Sequence, residues 1–203
     1  MVFTMTKEDV HSFARENKLA MQFLMVATDD YAGARCCISN SLLVGLVLGA
    51  QAVEKYLKAF ILFKNPLENV KGKRHKISEL AGIASTYCPN FSLEKYAQFI
   101  KRLEQHYETR YPDNYNASTH MNSSEIVELD QLVILINEQM EFPLEVKYRS
   151  YFYATVNSSL DQSTPYLTGE WVKSNNKALI PLLPSIESKY LAIKNHLYPN
   201  TNC

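Results

Sequence analysis

The chain has 203 residues, is 46% hydrophobic, and carries 21 basic and 21 acidic side chains, so its formal net charge is zero. This is enough apolar sequence for one domain with a sizeable core, with or without an extension. A neutral chain is not typical of proteins that coat long stretches of nucleic acid, so any contact with phosphate must come from a local patch. The 6 glycines disfavour a glycine-rich all-β fold.

The cysteines indicate a reducing compartment because no pair has the spacing of a zinc or redox motif. They are Cys36, Cys37, Cys88 and Cys203. The stretch from Met1 to Val10 has no apolar core of the kind found in signal peptides. No apolar run is long enough to span a bilayer. We therefore expect a cytoplasmic protein that binds no membrane, metal or cofactor.

The first helix is predicted to begin near Thr6. Thr6 and Asp9 have the spacing of a capping box, with Asp in place of the usual Glu. Apolar residues then recur at helical spacing as far as Tyr31. The pattern allows this helix either to end near Asp29 or to continue to about Ile38.

The strongest helical signal extends from Ser39 to Phe63. Its polar residues Gln51, Glu54, Lys55 and Lys58 fall three and four apart and form one stripe, while most other positions are apolar. A helix this apolar is usually central in a bundle. A polar stripe on such a helix faces water, pairs with neighbours or lines a cleft.

Three further helices are predicted before residue 142. One follows His75 and Lys76, the next is capped by Ser92 and extends to about Thr109, and the last is capped by Ser123 or Ser124. About five helices joined by short loops predict an all-α, up-and-down bundle.

Composition changes at Pro143, after which the chain is rich in aromatic residues and proline. We therefore predict a helical bundle over residues 1–141 and a C-terminal extension over residues 142–203, packed on the bundle or on a partner. Within the extension we expect a short strand at Tyr151–Val156 and a helix at Ser185–Leu197.

A row of cationic residues marks the predicted helix before Thr109. Arg102, His106 and Arg110 lie four apart and share one face. The turn Tyr111–Asp113 follows directly. Such a ridge could bind a phosphate through Arg110, with His106 titrating near neutral pH. The alternative is a solvated or ion-paired helix face.

The loop from Lys71 to Lys76 is a second candidate. A basic loop before a helix can bind an anion because free N–H groups and the helix dipole add to its charge. Otherwise it is an exposed connection in which His75 caps the next helix. The chain contains no glycine-rich phosphate loop, no His-Glu metal motif and no identifiable nucleophile.

Four segments together resemble the HEPN domain, the nucleotide-binding domain of higher eukaryotes and prokaryotes. They are Asp30–Arg35, Gln51–Ala59, His75–Leu80 and Thr109–Asp113, the last of which contains an Arg-Tyr-Pro-Asp motif. Their order and spacing carry the resemblance, which covers about residues 7–141.

The resemblance implies a homodimeric helical bundle with a cleft at or near the dimer interface. The family includes domains thought to bind nucleotides, metal-independent ribonuclease toxins, and partners of small nucleotidyltransferases. The leading expectation is therefore a dimeric module that binds nucleotide or RNA phosphate, with a ribonuclease or a protein-interaction module as alternatives. The ligand-binding candidates on this basis are Lys58, His75, Arg110, Tyr111 and Asp113.

The candidate catalytic pair departs from the family pattern. In the ribonuclease branch an Arg is followed by a His after four to six intervening residues, whereas Arg102 and His106 are separated by three. Because both groups must reach the same atoms of a phosphodiester, the shorter spacing weakens the ribonuclease hypothesis. Asp113 could also simply cap the turn or pair with Arg110.

Overall fold

The computed structural model describes residues 3–73, 75–89, 91, 93–108, 121, 124–160 and 166–199. Within these ranges all regular secondary structure is helical, which confirms the all-α class. The ten α-helices of the described residues are α1 (Lys7–Glu16), α2 (Lys18–Ser39), α3 (Val44–Lys64), α4 (Ile77–Tyr87), α5 (Ala97–Glu108), α6 (Glu125–Gln139), α7 (Leu144–Arg149), α8 (Tyr151–Val156), α9 (Tyr166–Lys173) and α10 (Leu183–Leu197). Single 3₁₀ turns precede α5 and α10 at Glu94–Tyr96 and Ile180–Leu182.

The first helix begins as predicted, at a capping box formed by Thr6 and Asp9. It ends at Glu16 rather than near Asp29, so the predicted length is wrong. Asn17 ends it because its side-chain amide donates to the carbonyl oxygen of Phe13 at 2.9 Å and so satisfies a terminal acceptor. A separate helix, α2, then continues past Asp29 to Ser39.

The central helix begins later than Ser39, the residue at which α2 ends. The amide of Asn40 donates to the carbonyl of Cys36 at 2.8 Å, and Ser41 has a φ of 58°. These residues reverse the chain, so α3 starts at Val44. The prediction that α3 is central is confirmed, because it is buried along most of its length against α2, α4, α5 and α6.

Residues 151–156 form helix α8, so the predicted strand is wrong. Aromatic and β-branched residues favour strands on a pleated surface, but tertiary packing overrides this preference. The ring of Phe152 is buried, with its centroid 6.3 Å from that of Tyr56 on α3 in an edge-on arrangement. The final predicted helix is confirmed as α10.

The C-terminal residues reach the bundle through Arg35, which is 1% exposed. Its guanidinium binds Asp130 on α6, donates from Nε to the carbonyl of Trp171 at 2.8 Å, and donates to the carbonyl of Ser174. The hydroxyl of Tyr31 donates to the same Asp130 carboxylate at 2.7 Å, and burial raises the pKa of this hydroxyl, so it stays protonated. One buried network therefore joins α2, α6 and the end of α9.

Candidate functional site

The polar stripe of α3 faces a cavity of about 670 Å³. The residues around this cavity, called the α3 cleft below, are Phe23, Gln51, Glu54, Lys55, Lys58, Lys71, His75 and Tyr107. Lys58 and His75, which the family resemblance marked as ligand-binding candidates, thus lie in one cleft. Its volume falls within the range of small-molecule sites.

Glu54 lies at the centre of the α3 cleft. Its Oε1 atom accepts a hydrogen bond from Nζ of Lys58 at 2.6 Å. Its Oε2 atom accepts from the backbone N–H of His75 and lies 3.1 Å from Nδ1 of the same residue. Glu54 is 8% exposed and Lys58 4%, so this pair is a buried ion pair rather than the weak surface pair expected from its spacing.

His75 is held on both ring nitrogens and on one ring face. Its φ of 63° lies in the left-handed region, which brings its N–H and its ring to the same carboxylate. The imidazole stacks on Tyr107 with centroids 3.8 Å apart, and Nε2 lies 2.9 Å from the Tyr107 hydroxyl. An ionised Glu54 only accepts hydrogen bonds, so in the neutral imidazole Nδ1 carries the proton and Nε2 is left to accept from the Tyr107 hydroxyl.

Lys55 and Lys71 supply the other cations of the cleft. Lys55 forms an ion pair with Asp30 on α2, and its Nζ lies 3.5 Å from Oε1 of Gln51. Lys71 is exposed, and no ion pair forms between it and another of the residues that the structure describes. Lys71 is therefore the cleft lysine most open to an incoming anion.

The other two lysines of the basic loop pair with a carboxylate. Lys73 and Lys76 both pair with Glu79 in the first turn of α4, and the hydrogen bond from Lys73 lowers the pKa of Glu79. Glu104 of α5 accepts from the backbone N–H and the hydroxyl of Ser78, both at 2.8 Å. The N-terminus of α4, which the basic loop had made a candidate anion site, is thus occupied by the chain's own carboxylates.

Arg102 and His106 face α6 rather than the α3 cleft. Nη2 of Arg102 donates to Glu128 at 2.5 Å. Nε of Arg102 and Nε2 of His106 lie 3.7 Å and 3.5 Å from the same oxygen of Glu125. In the described part of the ridge, Arg102 is therefore ion-paired with carboxylates of a neighbouring helix, and His106 lies beside one of them. The remaining candidates, Arg110, Tyr111 and Asp113, lie outside the described residues.

Tyr107 was not assigned to the cleft from the sequence. It belongs to the apolar face of α5, with Leu103 one turn and Ile100 two turns before it. That spacing signals burial but does not reveal that the hydroxyl meets His75.

The described ranges contain neither a metal-binding cluster nor a membrane-spanning helix. No group of three His, Cys, Asp or Glu side chains in them is arranged to hold a metal ion. No helix in the same ranges is long and apolar enough to cross a membrane.

The fold and the cleft define an all-α bundle with a cationic cavity on its central helix. The HEPN domain matches residues 22–139, from within α2 to the end of α6. This is more than half of the chain, which therefore belongs to the HEPN domain family. Neither the curated proteins nor the solved structures that were compared contain a significant match.

Proposed function

We propose that the chain is a HEPN module that binds a nucleotide or RNA through phosphate in the α3 cleft. The observation that carries this proposal is the meeting of Lys55, Lys58, Lys71 and His75 around one cavity of about 670 Å³. Ammonium groups and N–H donors are the partners that phosphate oxygens prefer in proteins.

Aromatic rings in the α3 cleft favour a nucleotide over an inorganic anion as its ligand. Phe23 and Tyr107 line the same cavity as the lysines, and one face of the His75 ring is covered by Tyr107 while 32% of its side chain is exposed. Flat rings beside cations are the usual means of holding a base and its phosphate together. The volume suits a mononucleotide or a short piece of RNA.

Calorimetric titration with ATP, GTP and short RNA at low salt tests the proposal. We expect binding that weakens about ten-fold in Lys71→Ala and more in Lys58→Gln, since each removes a cation beside the phosphate. Lys101→Ala, an exposed lysine on α5, is the matched control and should bind like wild type. If the folded protein gives no heat of binding with any of these ligands, the proposal is wrong.

We also propose that the protein is a homodimer and that a nucleotidyltransferase is a possible partner. Exposed apolar side chains on α2 support a protein interface, since Leu19, Met25 and Val26 are 41%, 43% and 39% exposed. Sedimentation of wild type and Met25→Asp tests the dimer. A monomer at micromolar concentration in wild type would contradict it.

A metal-independent ribonuclease is the second candidate function. It is favoured by the convergence of Arg102 and His106 on one oxygen of Glu125, because groups that reach one oxygen can also reach one phosphate. Cleavage of RNA in EDTA should then disappear in Arg102→Ala and in His106→Ala. Cleavage that persists in both variants would exclude these residues as the catalysts.

A further inference from the structure

We infer that Glu54 is the anion that fills the α3 cleft before ligand arrives, and that a ligand phosphate binds by displacing it. The consequence is selectivity: the cleft takes a terminal phosphate, a phosphomonoester, in preference to an internal phosphodiester. This inference rests on the proposed function, namely that the cleft binds phosphate.

The donors around Glu54 are those that a phosphate would use. Nζ of Lys58 and the N–H of His75 both donate to its carboxylate, at 2.6 Å and 3.1 Å, and Nδ1 of His75 faces it at 3.1 Å. An ammonium, a backbone N–H and an imidazole N–H on one side of a cavity form an anion site. A carboxylate of the chain itself satisfies that site.

Among the residues that the structure describes at the start of α4, the donors are already bound by carboxylates. Ser78 donates both its N–H and its hydroxyl to Glu104, and Glu79 holds Lys73 and Lys76. A phosphate entering the cleft therefore meets Lys71 first. The phosphate can bind Lys58 and the N–H groups of His75 only when Glu54 moves away, because two anions in contact with one ammonium group repel each other strongly.

Displacement selects among phosphates by charge. A phosphomonoester carries a charge of about −1.5 to −2 at neutral pH, whereas a phosphodiester carries a single negative charge, the same as the carboxylate that it must replace. A monoester therefore gains more from Lys58 and Lys71 than Glu54 gives up, and a diester does not. Removing the negative charge of Glu54 should tighten the binding of both kinds of phosphate, because neither then has to displace a carboxylate.

Calorimetry with AMP, 3′,5′-cyclic AMP and adenosine at about pH 7.5 tests the inference on the full chain. Wild type should bind AMP at least about ten-fold more tightly than cyclic AMP. Glu54→Gln should bind both AMP and cyclic AMP about ten-fold more tightly than wild type does, because the cost of displacing the carboxylate is common to the two nucleotides. The affinity for adenosine, which has no phosphate, should not change.

Asp30→Asn is the matched control. It also removes one carboxylate charge, that of Asp30, which forms an ion pair with another cleft lysine, Lys55. It should tighten the binding of neither nucleotide as much as Glu54→Gln does. Equal binding of AMP and cyclic AMP by wild type, or no tightening of either nucleotide in Glu54→Gln, would overturn the inference and leave nucleotide binding intact. Absence of AMP binding in both wild type and Glu54→Gln would overturn the proposed function itself.

Nuclear magnetic resonance of the wild type gives a second test that does not depend on the folding of Glu54→Gln. The backbone amide of His75 donates to Glu54 in the unliganded protein, so saturation with AMP should shift its signal strongly. The amide of Ser78, held by Glu104, should shift much less. A His75 amide that does not move at saturation contradicts displacement.

Discussion

The two ring nitrogens of His75 have different partners: Nδ1 lies 3.1 Å from the carboxylate of Glu54, and Nε2 lies 2.9 Å from the hydroxyl of Tyr107. His75 belongs to the loop before α4, whereas its partners lie on α3 and α5. The side chain therefore connects three parts of the bundle at the edge of the α3 cleft. Its orientation is set before any ligand binds.

We expect the neutral form of His75 to carry its proton on Nδ1, as measured by nitrogen-15 chemical shifts. Tyr107→Phe keeps the stacked ring but removes the donor to Nε2, so it should shift that nitrogen's signal and lower the free energy of unfolding by about 1 kcal/mol. Tyr87→Phe is the control, because it also loses a hydroxyl contact, to Glu68. A His75 signal that moves equally in both variants would contradict the assignment.

Arg35→Met should lower the free energy of unfolding by about 3 to 5 kcal/mol, because it leaves Asp130 buried without its cation. Urea unfolding measures the change. Adding Asp130→Leu to this variant should recover part of the loss, since the double change buries no charge. Arg15→Met, at an exposed position on α1, is the control and should change stability by about 0.5 kcal/mol or less. Equal effects of Arg35→Met and Arg15→Met would contradict the buried network.

Stability should depend on pH through Glu145. Burial disfavours its charge, but the N–H groups of Met5 and Thr4 more than compensate and hold its pKa below the usual 4.5. Its contribution to stability is therefore complete above about pH 4.5 and is lost as the pH falls through the lower pKa of the folded state. Glu145→Gln should be about 2 kcal/mol less stable than wild type at neutral pH.

The difference between Glu145→Gln and wild type should disappear in strong acid, because the carboxyl is then protonated in both the folded and the unfolded wild type. Urea unfolding at a series of pH values measures it. Glu8→Gln, in the exposed first turn of α1, is the control and should show little difference. A gap for Glu145→Gln that stays constant down to about pH 3 would contradict the role of the carboxylate.

Substitution by alanine should change the free energy of unfolding in opposite directions at two glycines. A Cβ on Gly45 would lie 2.8 Å from the backbone nitrogen of Ile38 and 2.9 Å from the carbonyl oxygen of Ala34. Gly45→Ala should therefore push α2 and α3 apart and cost about 2 kcal/mol. A Cβ on Gly82 meets nothing within 4 Å, so Gly82→Ala should stabilise α4 by about 0.5 to 1 kcal/mol. Thermal unfolding of the two variants measures the contrast, and a shift in the same direction would contradict it.

Local patterns in the sequence predicted the elements whose residues determine them directly. Thr6 and Asp9 are close in sequence and form the capping box, and the apolar faces of α3 predicted its central place. Glu54 and Lys58 share one helix face because helical geometry requires it. The family resemblance added His75, which would otherwise have been one of several basic residues in a loop.

Other features depend on contacts between distant parts of the chain. Tyr107 reaches the cleft only because α5 packs beside α3, and the partners of Arg102 and His106 come from α6. Helix α8 was mistaken for a strand because its aromatic residues are equally suited to burial on a helix face. Glu104, the α5 carboxylate that binds Ser78, could not be assigned without the packing of α5 against α4.

The position of Arg35 has a consequence for synthesis. The part of the chain that matches the HEPN domain is residues 22–139. Two acceptors of the buried Arg35 guanidinium, the carbonyl oxygens of Trp171 and Ser174, lie beyond it in the chain. A chain emerging from the ribosome can form its helices early, yet it must keep Arg35 hydrated until residue 174 is free. Closure of α2 and α6 around this cation is therefore a late step whose earliest time is set by translation, and a pause in translation before Ser174 would hold the bundle open.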